Sequence, residues 1–354
     1  MIYATISLAI VMLFSAGYKK IKQGNAIPIW GSALILCLFA GLRDISFGPD
    51  LLAYKSRYLN SIPLLSYAEI LSQYRSGMIK DGLFYVIMKF FINIGASYQL
   101  FIAFITSFYV ISVTVLIAKE SEKPIISFLM FFTLSWFQFS FTGLRQSLAM
   151  AMCTVALTLL INNRRDVTAT ALIVIAGFVH SSAWIFLIAP IIARLDLKIG
   201  KIHFLLMTGI SLILSILGAA LFRRVIVSIA WNETLADYAA SDVSLNWTGF
   251  IIQLLFAAVS YVFYDDAVRD RPEISFLYSL MAIGLAFQAF SSVVAEMFRV
   301  SMYFSIASIC VYPEAIMSMR RKDCKSIACY LSILFLVFYF FKAEKFAMYI
   351  PMIS

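Results

Sequence analysis

The chain has 354 residues, 62% of them hydrophobic and only 13% charged, with a formal net charge of +9. A soluble domain is nearer half apolar and about a quarter charged, so one compact soluble core is excluded, and 15 Gly, 8 Pro and 5 Cys leave no basis for a collagen, disordered or disulfide-framed chain. The positive balance is not a nucleic-acid patch, because the basic residues stand at the ends of apolar runs, where they report membrane orientation.

The predicted fold is therefore an all-α, polytopic membrane helix bundle forming one integral domain over residues 1–354. A crossing needs about 20 apolar residues, fewer inside a bundle. About twelve candidates are expected, at 2–18, 26–42, 100–118, 124–141, 143–161, 167–179, 182–193, 202–222, 248–264, 274–295, 300–317 and 327–341. The first has no basic leader region and no small-residue cleavage site, so it is expected to be a span. Sixteen of the 28 Lys and Arg, from Lys19 and Lys20 to Lys322 and Lys325, fall in short connections that can all be cytoplasmic if both termini face out. That solution lays the apolar stretch 83–97 along, or dipping into, the outer interface.

Two longer outer segments follow from it. Residues 43–82 mix Arg43, Asp44, Asp50, Arg57, Glu69 and Asp81 with Tyr54, Tyr58, Tyr67 and Tyr74, a pattern suited to an amphipathic lid at the membrane surface. Residues 223–247 form the second, with Trp231 and Trp247 as interface anchors. The cysteines Cys37, Cys153, Cys310, Cys324 and Cys329 show no C-x-x-C spacing, and no metal or other cofactor is expected.

Ionisable groups near or inside the membrane are costly, and each is a functional candidate. In FTGLRQSLAMAM, Thr142 and Gly143 break two apolar runs, putting Arg145 and Gln146 on the first turn of the next helix, where a guanidinium and uncapped N–H groups make an anion pocket in outline. The bland alternative is an arginine snorkelling to head groups. In GFVHSSAWIFLIAP the runs on either side of His180 are short, so 167–193 is either a hairpin with His180 at an outer tip or one helix holding it at mid-membrane. Either way a nearly neutral imidazole is the cheapest base at that depth, although a lone histidine is as often a satisfied polar contact. In VAEMFRVSMYF, Glu296, Arg299 and Tyr303 share one helix face, as a site or as a self-neutralising pair. Arg43, Asp44 and Asp50 of GLRDISFGPD lie at the membrane lip. All these groups fall on the outer side under this orientation, which suggests a pocket for a bulky anionic ligand, since an arginine fork suits phosphate oxygens.

The series GLRDISFGPDLLAY, DGLFYVIMKFF, FTGLRQSLAMAM, FVHSSAWIFLIAP and FRVSMYF, in that order over residues 40 to about 305, resembles the EpsG family, the Wzy-type polymerases of bacterial O-antigen and exopolysaccharide. RQSLA and HSSA carry the resemblance most specifically. The family often has an acidic residue and Pro before its Gly-Phe/Leu-Tyr stretch, where this chain has Lys80 and Asp81. The resemblance implies an inner-membrane, metal-independent glycosyltransferase whose site faces the periplasm and joins oligosaccharide units carried on undecaprenyl diphosphate. Those lipid-linked units, serving as donor and acceptor, are its expected partners, with membrane lipids and a chain-length regulator and flippase beside them, and no nucleic acid. The resemblance places Arg145 and His180 on its specific motifs and Arg43 and Arg299 on looser ones; with the residue reading above, catalytic roles are expected for Arg145, His180, Arg299 and Glu296, and substrate contacts for Arg43, Asp44, Asp50, Gln146 and Tyr303. A flippase for the same lipid-linked unit and an O-antigen ligase are the competing functions.

Overall fold

The structure, a computed structural model, describes residues 2–16, 27–45, 48, 50–163, 166–217, 247–294 and 296–343. The expected outer loop 223–247 lies outside these residues except for Trp247, as do Arg164 and Arg165 and the basic group at Lys19, Lys20 and Lys22. The described chain is all-helical and divides into two compact units, Met1–Pro190 with Ser326–Ser354, and Ile191–Lys325.

The first unit begins with α1 (Ile2–Ala16) and α2 (Ile27–Gly41), followed by α3 (Leu51–Ser56), whose helix widens into a π turn at Arg57–Ser61 and tightens into a 3-10 turn at Ile62–Leu64. Ser66 and Glu69 then form a reciprocal capping box that starts α4 (Tyr67–Arg75). Next come α5 (Gly82–Asn93) and α6 (Tyr98–Glu120), the latter capped by Ser97. At about 18 Å, α5 is too short to cross about 30 Å of hydrocarbon, as expected for 83–97, whereas the 23 residues of α6 suffice.

The expected crossing 124–141 is not one helix. α7 (Pro124–Thr133) ends where Ser135 takes a left-handed conformation, α8 (Trp136–Phe139) is a single turn, and α9 (Leu144–Asn163) begins after Gly143. What this break gains is packing: Phe39, Phe132, Phe137 and Phe141 interlock with centroids 5.2–6.1 Å apart, and such pairs contribute about 0.5–1.5 kcal/mol each. α10 (Asp166–Val179) packs on α9, and a 3-10 segment, Ser181–Leu187, leads into α11 (Ile188–Arg194).

The second unit contains α12 (Lys201–Leu217), α13 (Thr248–Val262), α14 (Tyr264–Asp270), α15 (Ile274–Phe290), α16 (Met297–Ser305) and α17 (Ser308–Met317). Its centre is aromatic and hydroxyl-rich: Phe204 stacks on Tyr261 at 4.0 Å, and Tyr278 donates to the Ser260 carbonyl at 3.0 Å. Ser301 on α16 donates to the Gly284 carbonyl of α15 at 2.7 Å, a close helix approach through small residues. α18 (Lys322–Ala343) starts at the end of this unit and continues in the first, where Phe340 meets Phe132 at 5.5 Å.

Among the described residues three helices are long and apolar enough to cross a membrane, α6, α9 and α18, and the bent pairs α13–α14 and α16–α17 bring the number to five. Eight shorter apolar helices of 10–17 residues account for most other expected crossings. The count of about twelve crossings is thus not confirmed among the described residues. Apolar runs that composition reads as continuous are interrupted after Leu134 and at Ile306–Ala307, and the chain also breaks at His180, between the two short runs expected there.

Candidate functional site

Asp81 is the centre of the polar cluster in the first unit. Its Oδ2 accepts from Arg145 Nη1 at 2.8 Å and pairs with His180 Nδ1 at 3.0 Å, while Oδ1 accepts the Ser181 N–H at 2.9 Å. The side chain is 3% exposed, so a buried carboxylate is satisfied by three donors from two distant segments. Burial alone would raise this carboxyl, but the hydrogen bond and charge of His180, the charge of Arg145 and the Ser181 N–H outweigh it and hold Asp81 below the ordinary aspartate value. It is therefore ionised at neutral pH.

Local sequence explains how each group arrives. Asp81 precedes α5 with φ of +60°, a left-handed conformation that Asp tolerates better than most residues. Gly82 follows because a Cβ there would lie 2.6 Å from the Tyr74 ring, so only glycine lets α4 press against this corner. His180 ends α10 in an extended conformation, with its N–H on the Ala176 carbonyl at 2.8 Å. The corner is locked by Trp184, whose indole occupies the space a Cβ on Gly177 would need and meets Phe178 edge-on at 5.1 Å. The helix is thus broken at His180, which excludes one continuous helix from 167 to 190.

Arg145 sits on the first turn of α9, as expected. Its Nε donates to the Tyr54 hydroxyl at 3.0 Å, and the guanidinium lies 5.9 Å from that ring. Burial pushes the Tyr54 phenol above its ordinary value, against the opposing pull of Arg145. Asp50 and Arg57 also act on this phenol, which places both near the cluster. The side chains of Arg145 and His180 stay 27% and 17% exposed, and neither Arg145 Nη2 nor His180 Nε2 has a hydrogen-bond partner among the described residues. An ionised carboxylate can only accept, so His180 carries its proton on Nδ1 and, when neutral, presents a lone pair at Nε2.

The other expected site residues are placed differently. Arg43 has no accessible surface; its Nη1 and Nη2 donate to the carbonyls of Ala40 at 2.5 Å and Ser140 at 3.3 Å, and it stacks on Phe141 at 4.7 Å. Asp44 is half-buried beside it and Asp50 is exposed at the start of α3. Gln146 is buried, with Nε2 3.9 Å from Met150 Sδ. In the second unit Glu296 and Arg299 form the expected i,i+3 ion pair at 2.9 Å, and Tyr303 is buried. Sequence reasoning missed Asp81 as the organiser and Tyr54 as a partner. The available signal was an acidic residue directly before Gly82. Among the described residues no group of three or more His, Cys, Asp or Glu could share a metal ion.

Fold and site together define an all-helical membrane protein with a buried carboxylate gathering an arginine and a histidine. The chain matches the family model described as EpsG over residues 29–353, nearly its whole length, and belongs to the EpsG family, a Wzy-type polymerase-like family of membrane proteins. No curated protein and no solved structure matches it.

Proposed function

We propose that this protein polymerises oligosaccharide repeat units carried on undecaprenyl diphosphate, at the periplasmic face of the bacterial inner membrane. The supporting observation is the convergence of Arg145 and His180 on Asp81, which leaves Nη2 of one and Nε2 of the other available. In this reading a hydroxyl of the acceptor unit attacks the anomeric carbon of the donor glycan. His180 Nε2 takes the hydroxyl proton as the new C–O bond forms, and the old bond to the diphosphate breaks. Arg145 donates to the departing diphosphate, whose growing negative charge is the largest electrostatic demand of the step. Asp81 keeps the imidazole in the tautomer the step requires and stabilises the imidazolium that forms.

A deletion strain separates this function from its rivals on a glycan ladder gel. Loss of a polymerase leaves single repeat units on the surface acceptor, loss of a ligase leaves none, and loss of a flippase traps the units inside. Complementation with Arg145→Ala or His180→Ala at normal membrane levels should reproduce the single-unit pattern. Full ladders from both variants would refute the assignment.

A further inference from the structure

Arg145 cannot by itself make this site electropositive, because Asp81 at 2.8 Å cancels its charge. A diphosphate would need a second cation, and Arg43, expected to help, spends donors on backbone carbonyls inside the core. Arg57 has the missing properties. It is exposed, and among the described residues its guanidinium makes no ion pair. It is nonetheless held: Nη1 donates to the Tyr85 hydroxyl, the guanidinium carbon lies 5.5 Å from that ring, and Tyr85 itself is 2% exposed.

Two helices bring it to the cluster. Arg57 follows Tyr54 by three positions on one continuous helical segment, so both side chains leave the same face, and Tyr54 accepts the hydrogen bond from Arg145. Tyr85 follows Asp81 by four positions at the start of α5, about one turn or 5.4 Å along the axis. Phe84 fills the space between, with centroids 5.6 Å from both Tyr54 and Tyr85. Asp81 therefore anchors Arg145 and Tyr85 anchors Arg57, one turn apart. The π turn that opens at Arg57 is a rare geometry, frequent at functional sites.

We propose that Arg57 is the second diphosphate-binding residue of this site, supplying the uncompensated charge that Arg145, paired to Asp81, does not. The assignment rests on the lipid-diphosphate reading above, and deepens it by giving the recognition to Tyr85-held Arg57.

The test uses full-length protein in nanodiscs and measures binding of undecaprenyl diphosphate and of undecaprenyl monophosphate. Arg57→Ala should weaken diphosphate binding by about tenfold to a hundredfold, the loss of charge-assisted hydrogen bonds. Tyr85→Phe, which keeps the charge but removes its anchor, should weaken binding by a smaller factor. Lys55→Ala removes a charge from another face of the same helix and should stay within about twofold. Wild-type binding by Arg57→Ala overturns the role of Arg57 while leaving the site reading intact, and so does an equal loss from Lys55→Ala, which would mean general surface attraction. A wild-type protein that does not bind the diphosphate lipid at all sinks the lipid-diphosphate reading and this assignment with it.

Discussion

The two units hold their charges in opposite ways. In the second, Glu296 and Arg299 lie three residues apart at the start of one helix and are 24% and 40% exposed, a local pair that the helix spacing alone brings together. In the first, Asp81 draws in Arg145 from 64 residues away and His180 from 99, and it is almost wholly buried. The second unit also has a non-local pair, Arg271 with Glu314 at 2.8 Å, but there Arg271 shares its guanidinium with Glu273 as well. Among the described residues, only around Asp81 does a titratable base join the ion pair with one nitrogen left open. The lesson is that distance along the chain, burial and an unused donor or lone pair together mark chemistry, whereas an i,i+3 pair by itself marks solvation.

Substitutions can break this contrast in order of severity. Asp81→Ala should have the largest effect. It abolishes long chains on the ladder gel and, by leaving a partly buried guanidinium without its counter-ion, costs about 3 kcal/mol in the unfolding of the purified protein. His180→Ala and Arg145→Ala should abolish long chains with a smaller stability cost, about 1–2 kcal/mol, because Asp81 keeps two of its three hydrogen-bond donors in each variant. Arg299→Ala should be the mildest, about 0.5 kcal/mol or less in the same unfolding measurement. A stability loss there as large as that from Asp81→Ala would erase the distinction between the two regions.

Acid sharpens the comparison further. Because the folded state holds Asp81 below its ordinary value, the stabilisation is complete above the unfolded-state value near about 4 and disappears as pH falls through the lowered folded-state value. The wild-type unfolding midpoint should therefore drop below about pH 4 more steeply than that of Asp81→Asn, which has no carboxylate to protonate. Parallel pH curves for the two proteins would show that Asp81 contributes no such linkage.

Much of this was legible in the amino acids, and the remainder has a physical reason for being hidden. Arg145 and His180 declared themselves because each interrupts an apolar run, and a polar group there is expensive enough to need a purpose. The long helices α6, α9 and α18 followed from uninterrupted apolar length. Asp81 stayed hidden because it stands in a polar outer stretch beside Lys80, where a carboxylate costs nothing, and its importance comes only from partners the fold brings to it. The break after Leu134 was invisible to hydropathy because aromatic packing, as of Phe137 on Phe39, decides it, whereas at His180 the apolar pattern left a hairpin and a single helix open and the packing of Trp184 on Gly177 accompanies the break. Arg43 misled for the converse reason: an arginine after a span looks like a lip residue, yet this one is drawn inward by the carbonyls of Ala40 and Ser140.

The most direct test is the rate at which purified full-length protein extends undecaprenyl-diphosphate-linked repeat units when Asp81 is replaced by Asn, with the unfolding midpoint measured alongside at neutral pH. If Asp81 orients the base and steadies its charge, elongation falls by about a hundredfold or more in a protein that is still folded. A folded Asp81→Asn protein that elongates at the wild-type rate would contradict the account.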